Sequence, residues 1–506
     1  MNTMSPHQPT PTTDESTVLP KFRDLVERMN DANIRYCHWK SNWNLSKSLE
    51  GETDLDLLVH RSDARRFRDL LRDLRFGPAV DAGAQALPAV EHHHALDEAT
   101  GRIAHVHAYY RVISGESLTK NYRFPLEDML LTNSRHEGIV AVPSAGAELI
   151  VFVLRMLVKH TTPIELGLFM REWDSFRREV RWLMTPAALD EAIELLPAWL
   201  PQIDQALFVA AYSALREPAP TPRRIILGYR VRSRLRRLAR RHPTRARLAE
   251  VRKFTVRMRY RLSGSKKKLS PGSGGLVVAF VGPEASGKST VIGEIHRWLG
   301  AYYTVTRIHA GKPPTTAATF IPHLLLPLLR RLIPEQRSTR VGARYQQDAD
   351  KPRQRESYPL TFALRSVMLA YERRALLAHA FAQAANGTIV LSDRYPSSGT
   401  AAPDGIQLTR AEAAADPLRR WLRAVEARIY SGIPSPDLVI HLTAPLDVTL
   451  ARNAERHKTE PEHYVRLRHP RTERFEFGRV PVREVRTDRP LDDVIRAAKQ
   501  AIWDAL

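Results

Sequence analysis

The segment Gly282-Pro283-Glu284-Ala285-Ser286-Gly287-Lys288-Ser289 constrains this chain more than any other feature. It fits G-x-x-x-x-G-K-[ST], a loop that must leave a strand and open a helix. Both flanks are present. Gly275 to Val281 is an apolar run of strand length, rich in β-branched residues. The stretch Ser289 to Leu299 reads as a helix with Ile292, Ile295 and Leu299 on one face. Such a loop turns its backbone N–H groups inward on the phosphates of a nucleoside triphosphate. Gly282 and Gly287 permit backbone angles and approaches that a Cβ blocks. In this pattern Lys288 reaches the β- and γ-phosphates, and the Ser289 hydroxyl ligates Mg²⁺. Glu284, Ser286 and Thr290 complete the expected ATP site.

At 506 residues the chain allows about three domains of ~150 residues, or two larger ones. Its single cysteine, Cys37, excludes an intrachain disulfide and a cysteine-based zinc site. Residues 1–17 are polar and Pro/Thr-rich, without the basic start and apolar centre of a signal peptide, and read as a disordered tail. No apolar run reaches the ~20 residues of a membrane-spanning helix. A cytoplasmic location is therefore expected. The net charge of +22 is concentrated: residues 222–270 hold nineteen Arg and Lys against one acid, Glu250. The remainder of the chain is close to neutral.

Residues 18–217 form a first expected domain, α/β at its start and helical after Ala145. Helices are expected over Leu19–Met29 and Ala64–Leu74, and strands over Ile34–Trp39, Leu55–Val59 and Ile103–Tyr109. Pro218, Pro220 and Pro222 then break the chain. Residues 218–272 read as a basic linker with a thin apolar stripe at Leu227, Val231, Leu235 and Leu238. Three roles remain open for it: a solvated linker, peripheral contact with an anionic membrane, or nucleic acid binding. Sparse aromatic interleaving makes nucleic acid the least favoured. Residues 273–506 form a second domain.

In that second domain a helix from Thr361 to Ala385 stops at Asn386-Gly387, followed by the strand Thr388–Ser392 and then Asp393-Arg394-Tyr395-Pro396. Pro436–Thr443 is a further buried strand, and Leu450-Ala-Arg452 opens an Arg-rich stretch containing Arg456, Arg466, Arg468, Arg471 and Arg474. Thr487-Asp-Arg-Pro-Leu491 follows near the end. With the acidic Glu284 inside the loop, these motifs resemble the thymidylate kinase branch of the P-loop nucleoside-monophosphate kinases, over about 230 residues. The resemblance implies a parallel-sheet P-loop fold and phosphoryl transfer from MgATP to a small-molecule acceptor. It implies that Lys288, Asp393, Arg394 and Arg468 act in catalysis, that Ser289 and Asp393 hold Mg²⁺, and that Arg452 lies at the nucleotide. Arg373, Arg374 and Tyr395 would meet the acceptor. The family's thymidine-shaping segment after D-R-Y is replaced here by Pro396–Gly405, so a nucleotide-like or sugar-like acceptor other than dTMP is expected. The apolar run starting at Leu324 reads as a lipid- or partner-facing helix.

In the first domain, Asp54 and Asp56 stand at i and i+2, on one face of a strand. Two such carboxylates can bridge Mg²⁺. With Trp39-Lys-Ser-Asn-Trp-Asn before them they resemble polymerase-β-type nucleotidyltransferases, an α/β module with a helical half. The pattern departs from that family at Lys40, where glycine is expected, and at His105-Val-His107, where a third carboxylate is expected. Three readings stay open: nucleotidyl transfer, ligand binding alone, and a structural D-x-D. Glu91-His-His-His94 reads as a surface loop rather than a set of metal ligands. The sequence thus leads to an ATP- and Mg²⁺-dependent kinase fused to a nucleotidyltransferase-like module. An ATP-binding regulatory protein and a membrane-surface kinase of a lipid-linked acceptor are the alternatives, and a homodimer is an additional expectation.

Overall fold

The computed structural model describes residues 17–81, 87, 89–161, 163–170, 172–217, 221–262, 268–320, 360–397, 404–408, 416–455, 461–472 and 475–506. Residues 1–16 of the expected tail, the apolar run at 324–332, residues 263–267 of the expected linker, and Arg456 and Arg474 lie outside these residues. The chain divides into two compact units, Met1–Lys267 and Lys268–Leu506. Among the described residues no helix is long and apolar enough to cross a membrane.

In the first unit, helix α1 (Pro20–Asp31) leads to β1 (Tyr36–His38) and β2 (Leu55–Val59), then to α2 (Ala64–Asp73). Strands β3 (Gly77–Val80), β4 (Val90–Leu96) and β5 (Ile103–Tyr109) complete a mixed sheet in the order β1-β2-β5-β4-β3. Only β2 and β5 pair in parallel, with Asp56 opposite His107. Strand β4 overturns the expectation of a surface loop at Glu91–His94. The histidines pair with β5 through His92–His107 and His94–His105, and His94 is fully buried. Three consecutive polar side chains conceal the strand, because the burial that they receive comes from β5 and its own histidines.

The helical half follows as α3 (Ala145–Lys159), α4 (Trp173–Leu183), α5 (Pro186–Trp199) and α6 (Gln205–Arg216). Helix α3 is apolar apart from Glu148, Arg155 and Lys159; Leu149, Ile150, Val153 and Leu157 are all essentially inaccessible. Its start is capped by the Ser144 hydroxyl, which accepts from the Ala147 N–H. Helices α7 (Pro222–Arg234) and α8 (Pro243–Leu262) continue into the stretch that the sequence assigns to a linker. Leu227, Val231 and Leu235 of the apolar stripe are buried in the first unit's core, and Gly228 presses against the Leu157 carbonyl of α3. The basic stretch up to α7 is therefore a packed part of this unit. Helix α8 differs, for Leu248, Val251 and Leu262 are exposed beside its arginines.

His160 ends α3, buried against the ring of Phe169 at 4.3 Å between centroids. Burial, then the cations Lys159 and Arg224, pull its pKa down to about 3. The unfolded imidazole titrates near ~6.5, so the unfolded chain binds a proton that the folded one refuses between these values. Stability is retained above pH ~6.5 and falls as the pH drops below it. Wild type is expected to lose about 2 kcal/mol more than His160→Gln between pH 6.5 and 5. Urea midpoints at the two pH values check this; equal losses would remove His160 from the acid response.

The second unit is built on five parallel strands. They are β6 (Val277–Val281), β7 (Val305–His309), β8 (Ile389–Asp393), β9 (Leu438–Thr443) and β10 (Val482–Arg486). Their order, β7-β8-β6-β9-β10, puts β6 in the middle. Every residue of β6 and of β8 is buried, which accounts for the apolar run Val277–Val281 and for Ile389, Val390 and Leu391 at the start of β8. The helices are α9 (Lys288–Gly300), α10 (Leu360–Ala385), α11 (Pro417–Ser431), α12 (Leu446–Ala454), α13 (Glu462–Thr472) and α14 (Leu491–Trp503). The chain leaves β6 toward β8 and β7 and later returns on its other side at β9. The carboxyl end of β6 is thus a switch point, where open α/β sheets bind ligands.

Candidate active site

The loop 282–289 occupies this switch point. Gly282 has φ +149° and a Cβ on it would stand 2.2 Å from the Leu442 carbonyl of β9. Gly287 has φ +82° and is the N-cap of α9. The first requirement is steric and the second conformational, and glycine alone meets both. Gly282→Ala is expected to cost about 2 kcal/mol or more in stability and to abolish ATP binding. Gly293→Ala is its control: that glycine lies within α9, nothing approaches within 4 Å, and alanine there favours the helix. Thermal melts and titration with a fluorescent ATP analogue check both; a Gly282→Ala protein that melts like Gly293→Ala would defeat the steric account.

The Lys288 ammonium folds into the loop and donates to the carbonyls of Gly282 (3.0 Å) and Pro283 (2.5 Å) and to Ser286 Oγ (3.4 Å). Ser286 is fully buried, while Ser289 and Thr290 are exposed in the first turn of α9. Asp393 ends β8 opposite Phe280 of β6, beside the loop, with Arg307 Nη2 3.7 Å from its carboxylate. The Ser289 hydroxyl and the Asp393 carboxylate are hard oxygen donors of the kind that Mg²⁺ takes, so the residues present fit that ion.

Glu284 joins the loop to the residues expected to act on the transferred group. Its carboxylate accepts from Arg394 at 2.7 Å and from Arg468 of α13 at 3.5 Å. Burial raises the Glu284 pKa, but Arg394, Lys288 and Arg468 outweigh it and hold the net value below the ordinary one. Arg394 sits at φ +72°, a conformation rare for a residue with a side chain, and its N–H donates to Phe280 O of β6. Its other partner is Asp404, 3.2 Å away. Two charged neighbours hold the guanidinium, so the backbone conformation sets where its charge lies. Arg452 on α12 donates to the Thr487 carbonyl (2.7 Å) and hydroxyl (3.3 Å), which unites the two motifs expected at the nucleotide.

The three residues expected at the acceptor are engaged in different ways. Arg373 is 3% exposed and is spent within the protein. It donates to Ala310 O, to the Tyr430 hydroxyl, and to both the carbonyl and the carboxylate of Asp404. Arg374 is exposed on the other side of α10, beside Gly432. Tyr395 is buried, its hydroxyl donating to Pro434 O at 2.5 Å. The side chains of Arg373 and Tyr395 are thus both engaged within the protein. The residue that sequence reasoning missed is Asp404, which joins Arg373 to Arg394. Its only signal was the Asp-Gly pair inside the segment that departs from the family pattern.

In the first unit Asp56 lies in β2 and Asp54 immediately precedes it; Asp56 is largely buried, Asp54 is half exposed, and basic groups face both. Asp54 Oδ1 is 2.7 Å from His105 Nδ1, and Asp56 Oδ1 is 3.1 Å from His107 Nδ1 and 3.0 Å from Lys40 Nζ. Burial opposes ionisation of both; the histidines overcome it at Asp54, and Lys40 followed by His107 at Asp56, so both pKa values end below normal. Among the described residues no three His, Cys, Asp or Glu side chains are grouped to share one metal ion. An ammonium already on Asp56 repels a dication, so the residues present do not fit a bridging Mg²⁺ pair.

No family model matches the chain, and no curated protein matches it. Among solved structures, a deoxyadenosine kinase from M. mycoides with the products dCMP and a flexible dCDP bound is similar at 17% identity and TM-score 0.27. The match covers 45% of this chain and 98% of that one. The same enzyme with bound dATP gives 16% identity and TM-score 0.26, over 45% and 99% of the two chains. Both likenesses are distant.

Proposed function

We propose that the second unit is an ATP- and Mg²⁺-dependent kinase that transfers the γ-phosphoryl group to a small, nucleotide-like or sugar-like acceptor. The observation that carries this reading is the meeting at the end of β6: the loop with Lys288, Asp393 from the adjacent strand, and Arg394 and Arg468 both on Glu284. Phosphoryl transfer asks little covalent chemistry of a protein and much charge placement. Lys288 exchanges its carbonyl contacts for the β- and γ-phosphates, a charge-assisted bond in place of neutral ones. Ser289 and Asp393 would hold Mg²⁺, and the ion would supply neutralising charge to the phosphate oxygens. Arg394 and Arg468 stand where charge develops on the moving group, already oriented and thus without reorganisation cost. Asp393, at the strand end, is placed to orient an acceptor hydroxyl or the ion. Acceptor recognition falls to the carboxyl end of β8, beside Asp393 and Arg394.

The test is ADP release by the full chain with MgATP and a panel of nucleosides, nucleoside monophosphates, sugars and sugar phosphates. Stimulation by one class names the acceptor. ATP binding with no stimulated turnover across the panel would overturn the kinase reading in favour of an ATP-binding regulatory protein.

A further inference from the structure

Helix α8 carries a surface that the kinase reading does not use. It holds seven Arg and Lys against one acid, Glu250. Ala246 and Glu250 are buried, which fixes the packed side of the helix. At about 3.6 residues per turn, the opposite side carries Leu248, Val251, Met258 and Leu262 in one line. All four are exposed, Leu248 at 72% and Leu262 at 82%. Arg245, Arg252 and Arg259 recur at seven-residue spacing, close to two turns, and form a row along one edge of this stripe. Arg247 and Phe254, again seven apart, lie along its other edge. Arg245, Arg247, Arg252 and Arg259 are exposed and, among the described residues, have no ion-pair partner. Glu250, on the packed side, does not offset their charge at the outer face.

We propose that this face of α8 binds the surface of a membrane that contains anionic lipids. Large apolar side chains scattered singly over a surface need no explanation, but four in one outward line on a basic helix mark a face that meets a partner. Nucleic acid would meet the arginines and leave the stripe in water. A second copy of the same face would set like charge against like. An anionic bilayer meets both features. The stripe, on the convex side of the helix, enters the boundary between headgroups and acyl chains. The arginines on its two edges lay their apolar stems along that boundary and reach the headgroup phosphates. The stripe is narrow and the exposed charges are screened by salt, so the two act together. The contact is peripheral and does not rest on the kinase reading.

The experiment is co-sedimentation of the full chain with vesicles of phosphatidylcholine and phosphatidylserine, against vesicles of phosphatidylcholine alone. Binding to the mixed vesicles is expected, with a partition coefficient about a hundredfold above that for phosphatidylcholine. Arg245→Gln, Arg252→Gln and Arg259→Gln together should lower the coefficient for mixed vesicles by about a hundredfold. Leu248→Gln with Leu262→Gln leaves the charge unchanged and should lower it by about tenfold. Glutamine suits a helix and all five positions are exposed, so both variants should keep the wild-type circular dichroism. No binding to the mixed vesicles, equal binding to the two vesicle types, or a Leu248→Gln/Leu262→Gln protein that partitions like wild type would overturn the proposal. Duplex DNA bound through the arginines, with no vesicle bound, would assign the face to nucleic acid instead.

Discussion

Lys288→Ala is expected to lower acceptor-stimulated ADP release by about 10³-fold or more, the loss of roughly 4 kcal/mol of transition-state stabilisation. The fold should survive. The ammonium's present partners are the carbonyls of Gly282 and Pro283 and the Ser286 hydroxyl, all in its own loop. Lys288→Arg restores charge but not shape, since a planar fork cannot follow the curve of the loop, and it should recover little. Steady-state turnover with circular dichroism on the same samples measures both. Turnover within tenfold of wild type in Lys288→Ala, in a folded protein, would remove phosphoryl transfer from this loop.

Arg373→Ala should act on stability and not on acceptor affinity. The guanidinium ties α10 to Ala310 after β7, to Asp404, and to Tyr430 of α11. Removing it leaves the Asp404 carboxylate, only 12% exposed, with Arg394 as its remaining cation. Breaking a buried pair from one side costs about 3–5 kcal/mol, because the desolvated partner stays behind. The second unit's melting temperature should fall by several degrees. Arg373→Lys keeps the charge and loses the fork, so it should fall between the two. The opposite pattern, an unchanged melt with a raised KM for acceptor, would return Arg373 to the role that its sequence position implied.

These two residues mark what could be read from the chain and what could not. Lys288 is legible because its function is set by local geometry: a strand, a glycine-rich turn and a helix start lie within consecutive residues. The position of Asp393 at a strand end is legible in the same way. Arg373 is not legible. Its neighbour Arg374 carries the same charge, and only the rotation of α10 against the sheet decides which one turns inward. Asp404 lies 31 positions from Arg373 and 10 from Arg394, so no local pattern links the three. The histidines of β4 were hidden for the same reason, their burial depending on β5.

The sequence by itself determined the glycine-rich loop between a strand and a helix, several of the strands and helices, and the position of the charges along the chain. Hydrogen bonding in consecutive residues and hydrophobic periodicity are local, and a linear string records them. Tertiary structure decided which charges meet. It spent Arg373 and Tyr395 on the fold, drew Arg394 and Arg468 onto Glu284, packed α7 of the basic stretch into the first unit, and set Lys40 on Asp56. Each outcome depends on side chains brought within a few ångströms from distant positions, where desolvation makes a partner obligatory and the fold alone chooses it.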